Sequence, residues 1–177
     1  MPHDPFFQPV SALDQPRYAG VPSFMRLPHL DPGDVRFSEV DVAVVGLPWD
    51  GGTTNRPGAR HGPRALRDAS TMIRAMNPVT GVRPFDLLNC ADLGDVGANP
   101  ASLDAAMSEI SGFFEHLRKS GKRALSAGGD HLCTLPVLRG LAGDTPLGFV
   151  QFDAHSDLFD GYFGGQKFTH GTPFRRK

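Results

Sequence analysis

No apolar run in this chain approaches the roughly 20 residues that a membrane-spanning helix needs, so a helical membrane protein is excluded as a reading. Cysteine is scarce. Cys90 and Cys133 are the only two, too few for a disulfide framework, so a reducing compartment, the cytoplasm, is the expected location. Charge of one sign is missing as well. Eighteen lysines and arginines face 19 aspartates and glutamates, for a net charge of -1. That balance provides no basic field for a polyphosphate, which argues against a nucleic-acid partner. The opening MPHDPFF has neither a basic nor an apolar stretch, so no signal peptide is expected.

What is present suits a globular α/β domain. The 177 residues are 40% hydrophobic and 21% charged, with 21 glycines and 16 prolines. Length and composition allow a real core, and the glycines and prolines imply many shaped loops rather than a helix bundle. Residues 1–38 are proline-rich and aperiodic, and read as an arm over the domain of residues 39–177, with FMRLP (residues 24–28) as a packing anchor.

Apolar runs at 40–47, within 85–96, at 123–127 and at 147–152 read as strands. Between them lie helical patterns. Pro63 stands where a helix would begin, with Leu66, Ala69, Met72 and Ile73 as its apolar stripe. Ser102 is an N-cap candidate with Asp104 in the first turn, ahead of Leu103, Met107, Ile110, Phe114 and Leu117 on one face. Residues 134–141 suit a brief helix. Alternating strands and helices imply a largely parallel sheet, whose ligands collect beyond the carboxyl ends of the strands.

Two motifs fall just beyond predicted strands, GGDH (128–131) and FDAHSD (152–157). Asp153, His155 and Asp157 alternate, so an extended backbone would aim all three the same way. With His131 they make a set of two carboxylates and two imidazoles suited to Mn, Zn or Fe, the carboxylates leaning toward Mn. An aspartate between two ions can bridge them through both oxygens. The same groups could instead cap loops and helices through hydrogen bonds. His170, in THGTPFRR, is either a surface histidine or a proton carrier, because its pKa lies near neutrality. Cys133 reads as a buried packing thiol, since no oriented base accompanies it. The loop WDGGTTNRPGARHGP lacks both G-K-[ST] and G-x-G-x-x-G, so the reading of it as a phosphate cradle is weak. Arg56 and Arg60 within it are expected to be structural or at the rim of a cleft.

These segments resemble the ureohydrolase family of arginases, agmatinases and guanidino-acid hydrolases. The resemblance rests on GLPWDGGTTNRPGARHGPRALR, SAGGDH, FVQFDAHSD and THGTPFRR, in the family's order, with YAGVPSFMRLP and HGTPFRR nearer to the agmatinase and guanidino-acid hydrolase subgroup. It implies a three-layer α/β/α fold, a homo-oligomer, and a binuclear manganese centre. His131, Asp153 and Asp157 would hold one Mn2+, and Asp153 with His155 the other. It implies hydrolysis of a small guanidino substrate, such as agmatine, guanidinobutyrate or guanidinopropionate, to urea and an amine, with His170 as proton shuttle. A single-metal deacetylase shares the fold, but GGDH points to the two-metal arrangement. Leu132 stands where many members have serine.

The family pattern also contains a later D-x-D pair of aspartate ligands and a downstream acidic residue for the guanidinium. No two aspartates here are separated by one residue, and the glutamates Glu39, Glu109 and Glu115 all precede FDAHSD. The expectation is therefore an N-terminal portion of a ureohydrolase. Alone it would have little activity, or would be a remnant that binds metal weakly or pairs with intact subunits.

Overall fold

The computed structural model describes residues 4–176. Met1–His3, at the head of the expected arm and signal-peptide reading, and Lys177 lie outside the described residues. Among the described residues three parallel strands form the sheet, in the order β2-β1-β3. Central β1 (Val42–Leu47) pairs on one side with β2 (Cys90–Asp95) and on the other with β3 (Arg123–Gly128). The helices are α1 (Gly62–Ser70), α2 (Leu103–Lys119) and α3 (Thr134–Ala142). Among the described residues no helix is long and apolar enough to cross a membrane.

Alternation along β1 divides the layers. Ala43, Val45 and Leu47 face the main core with Ile110, Phe114 and Leu117 of α2 and Leu135 of α3. Val44 faces the other way, against Phe24, Leu27, Phe85 and Cys90. On that side Pro63 of α1 sits close over Gly46. The result is an α/β/α sandwich with α2 and α3 on one face, and α1 with residues of the N-terminal stretch on the other.

Helix α2 forms as its sequence dictates. Ser102 Oγ accepts the Ala105 N–H at 3.2 Å, and Ala106, Met107, Ile110, Phe114 and Leu117 are buried at helical spacing. Each large side chain there contributes about 1.5–3 kcal/mol by leaving water. Gly140 lets α3 approach closely, since a Cβ at that position would lie 2.4 Å from the Ser111 carbonyl oxygen.

Two expectations are corrected. Helix α1 ends at Ser70, and Leu66, Met72 and Ile73 are exposed at 49%, 65% and 40% rather than forming a buried stripe. Ser70 Oγ and Thr71 Oγ1 each donate to a carbonyl three residues back, at 2.8 Å, and such local bonds compete with continued helix. Residues 147–152 form no strand; Val150 and Phe152 are 82% and 97% exposed. An apolar run becomes a strand where a sheet edge takes up its backbone and a layer covers its side chains. Among the described residues it has neither, and β3 forms an open edge.

Candidate metal centre

The carboxyl ends of β1 and β3 lie side by side, and the loops leaving them are tied together. Gly129 N–H donates to the Leu47 carbonyl at 2.9 Å and Asp130 N–H to that of Trp49 at 3.0 Å. A Cβ on Gly129 would stand 1.8 Å from the Trp49 carbonyl oxygen, so this crossing admits only glycine. The chain then enters a 3-10 turn, His131–Cys133, capped by the Asp130 side chain.

Asp130 organises the surroundings. Its carboxylate is 8% exposed as a residue and accepts from the Gly52 N–H at 2.6 Å and the Leu132 N–H at 2.7 Å. Burial nonetheless raises its pKa above the ordinary carboxylate value, with the Asp50 charge adding to the effect and the N–H groups opposing it. Asp50 behaves oppositely. Its hydrogen bond with Arg60 comes first, and with the N–H groups of Gly58 and Arg60 it brings the pKa to about 2 despite burial. Arg60 is thus a structural partner of the loop.

His131 points into the candidate site. Its Nδ1 lies 3.3 Å from Thr134 Oγ1, a contact of the kind that fixes the ring of a ligating histidine. Its buried Nε2 lies 3.1 Å from Asp157 Oδ2 and 3.9 Å from Asp153 Oδ2. The 3.1 Å approach is off the line of a hydrogen bond, and this nitrogen has no hydrogen-bond partner among the described residues. A buried ring nitrogen facing two carboxylates without such a bond fits a cation between them. One donor atom from each of His131, Asp153 and Asp157 lies within 4.8 Å of the others.

The carboxylates do not converge by strand alternation. The backbone turns at 153–155, where Asp153 Oδ1 accepts the His155 N–H at 3.0 Å; that bond leads the causes holding the Asp153 carboxyl below its usual range. Asp157 is buried with φ +50°, a left-handed conformation that aspartate tolerates better than most residues. His155 stands outside the three-residue group, and its side chain is 76% exposed. Its Nδ1 is 3.7 Å from Asp153 Oδ1, so the two oxygens of Asp153 face different imidazoles.

His170 is anchored elsewhere in the same loop system. Its N–H donates to the Gly52 carbonyl at 3.0 Å, and its Nδ1 lies 3.3 Å from that oxygen. A carbonyl oxygen only accepts, so Nδ1 carries the hydrogen and Nε2 is left as the acceptor nitrogen of the ring. Gly52 therefore links Asp130, through its N–H, to His170, through its carbonyl. Cys133 is unsuited to nucleophilic chemistry, because burial pushes its thiol to about 12.

Sequence reasoning missed Asp130, Asp50 and the buried Asp92. An aspartate directly before a turn-forming histidine, and one inside the apolar run CADL, were the available signals.

The architecture is that of a parallel α/β/α protein carrying a histidine–carboxylate group beyond its strand ends. Residues 40–177 match the arginase family. A guanidinopropionase of Pseudomonas aeruginosa is 50% identical over 170 residues, covering 96% of this chain and 52% of that protein. A guanidinobutyrase of the same organism is 43% identical, covering 96% and 53%. The solved structure of proclavaminate amidinohydrolase from Streptomyces clavuligerus superposes with a TM-score of 0.83 at 43% identity, covering 91% of this chain and 52% of that one. The chain belongs to the arginase family, and it spans about half the length of the curated relatives it matches.

Proposed function

We propose that this polypeptide serves metal-dependent hydrolysis of a linear guanidino compound, consuming water and releasing urea and an amine. The observation that carries the reading is the convergence of His131 Nε2 with the carboxylates of Asp153 and Asp157. In the proposal these three would hold one divalent ion, and Asp153 with His155 would hold a second. The carboxylate-rich donor set favours Mn2+. Such cations lower the pKa of water, so that hydroxide is available near neutral pH. His170, held through Gly52, takes up a proton from solvent at Nε2 and passes it to the departing amine nitrogen. Similarity favours a guanidino acid over agmatine, with guanidinopropionase at 50% identity and a chicken mitochondrial agmatinase at 43%. Family membership also supports a homo-oligomer, with no nucleic acid or membrane as partner.

Because the chain contains no D-x-D pair, turnover is proposed to need further carboxylates. The test joins this chain to the part of the P. aeruginosa guanidinopropionase that it does not match, and measures urea from guanidinopropionate, guanidinobutyrate and agmatine with manganese. The chimera is expected to release urea and to lose that activity in His170→Ala, while the 177-residue chain alone releases little. A folded, metal-loaded chimera that yields no urea from any of the three would refute the reading. The exposure of His155 favours a second reading, a non-catalytic form that binds one ion weakly. Manganese calorimetry on the chain alone, giving a stoichiometry near one and no urea, would support it.

A further inference from the structure

A second concave site lies on the other side of the molecule's chemistry, between residues 8–26 and 71–83. This cleft, about 730 Å³, is lined by four arginines, Arg17, Arg26, Arg74 and Arg83, and its lining contains no aspartate or glutamate. The concentration is notable on a chain whose net charge is -1. Of the four, Arg83 pairs with Asp86 at 2.8 Å. The other three have no ion pair among the described residues.

Arg26 is the decisive one. It is only 8% exposed, and the sole hydrogen bond of its side chain among the described residues runs from Nη2 to the Gln15 carbonyl at 2.9 Å. A guanidinium carries five N–H donors, so with one of them bound to Gln15 the rest are free to meet an anion in the cleft. Met25 and Arg26 have φ values of +57° and +60°, a region that side-chain-bearing residues seldom adopt, so the backbone holds this guanidinium in place at a cost in strain. Ile73 and Met76 supply an apolar wall; both are partly exposed, at 40% and 41%. Arginine forks suit the paired oxygens of carboxylates and phosphates.

We propose that this cleft binds a small amphipathic organic anion, with a carboxylate or phosphate head held at Arg26 and a short apolar body against Ile73 and Met76. Arg17 and Arg74 add attraction from the rim. The site is independent of the metal centre, and its test does not depend on activity.

The experiment is calorimetric titration of the 177-residue chain with octanoate and with octyl phosphate, which separate the two head groups, against octanol and octylammonium as controls. One or both anions should bind with one-to-one stoichiometry and weaken as salt rises, and the controls should not bind. Arg74→Gln and Arg17→Gln should each weaken binding roughly tenfold, the scale of a lost charge-assisted hydrogen bond. Arg26→Gln should abolish binding; because it also releases Gln15, its fold is checked by circular dichroism, and the two rim variants carry the test if it unfolds. Equal binding of octanol, or anion binding unchanged in both rim variants, would overturn the proposal. So would an absence of anion binding, including the case in which sedimentation shows a self-association lost in Arg74→Gln, since the cleft would then be a protein interface.

Discussion

Replacing Asp130 by alanine should destabilise the protein by about 3 kcal/mol without unfolding it. The figure follows from two hydrogen bonds. The Gly52 and Leu132 N–H groups donate to this carboxylate at 2.6 and 2.7 Å, and both residues are buried. An orphaned buried N–H costs about 1–3 kcal/mol. Thr53, whose hydroxyl is 3.4 Å from the same carboxylate, is only half-buried, so water can reach part of the gap and the sum falls toward the lower half of the range. Relief of a buried carboxylate whose pKa is already raised by burial offsets some of the loss. A domain of this kind is stable by about 5–15 kcal/mol, so the variant remains folded. Denaturant unfolding, followed by circular dichroism and by the emission of Trp49, measures the change. Asp130→Asn retains one acceptor oxygen and should cost about half as much. Because Gly52 also holds His170, the alanine variant should shift the ring resonances of His170 as well. A loss below about 1 kcal/mol with unchanged His170 resonances would refute the claim that Asp130 joins the two loops.

Two other carboxylates give further tests. Asp92 is fully buried and accepts from Arg67 at 2.8 and 3.0 Å and from the N–H groups of Phe24 and Gly94 at 2.8 Å; Asp92→Ala should cost about 3–5 kcal/mol in denaturant unfolding, and a double-mutant cycle with Arg67→Ala should show clear non-additivity. Asp50, at about 2 in the folded chain against 3.8 ordinarily, has a depressed pKa, so its stabilisation is present above the ordinary value and is lost as pH falls toward 2; Asp50→Asn should flatten the fall of thermal midpoint with acid in that window, and an unchanged slope would contradict the assignment.

The fold was legible where local signals and burial agree. Ser102 and the stripe from Met107 to Leu117 specify α2 at several levels at once, and the apolar run at 40–47 contains β1. Local pattern failed where burial depends on what surrounds a segment. Residues 147–152 have strand composition but no covering layer among the described residues, and the stripe expected beyond Ser70 is undone by two side chains bonding back to their own turn. At the candidate site, the residue types were legible but their geometry was not. Alternation predicted one direction for Asp153, His155 and Asp157, whereas a local turn and the left-handed Asp157 bring the two aspartates toward His131 and leave His155 exposed. Asp130 was hidden because its partners, Gly52 and Thr53, lie some eighty residues away in the chain.

Equilibrium binding of Mn2+ to the 177-residue chain and to His131→Ala and Asp157→Asn, measured by calorimetry near neutral pH, bears most directly on the proposed metal centre. Saturable binding of at least one ion, lost or weakened by about tenfold or more in each variant while the fold is retained, is the expected result. Binding equally strong in both variants, or no binding by the folded wild-type chain, would contradict it.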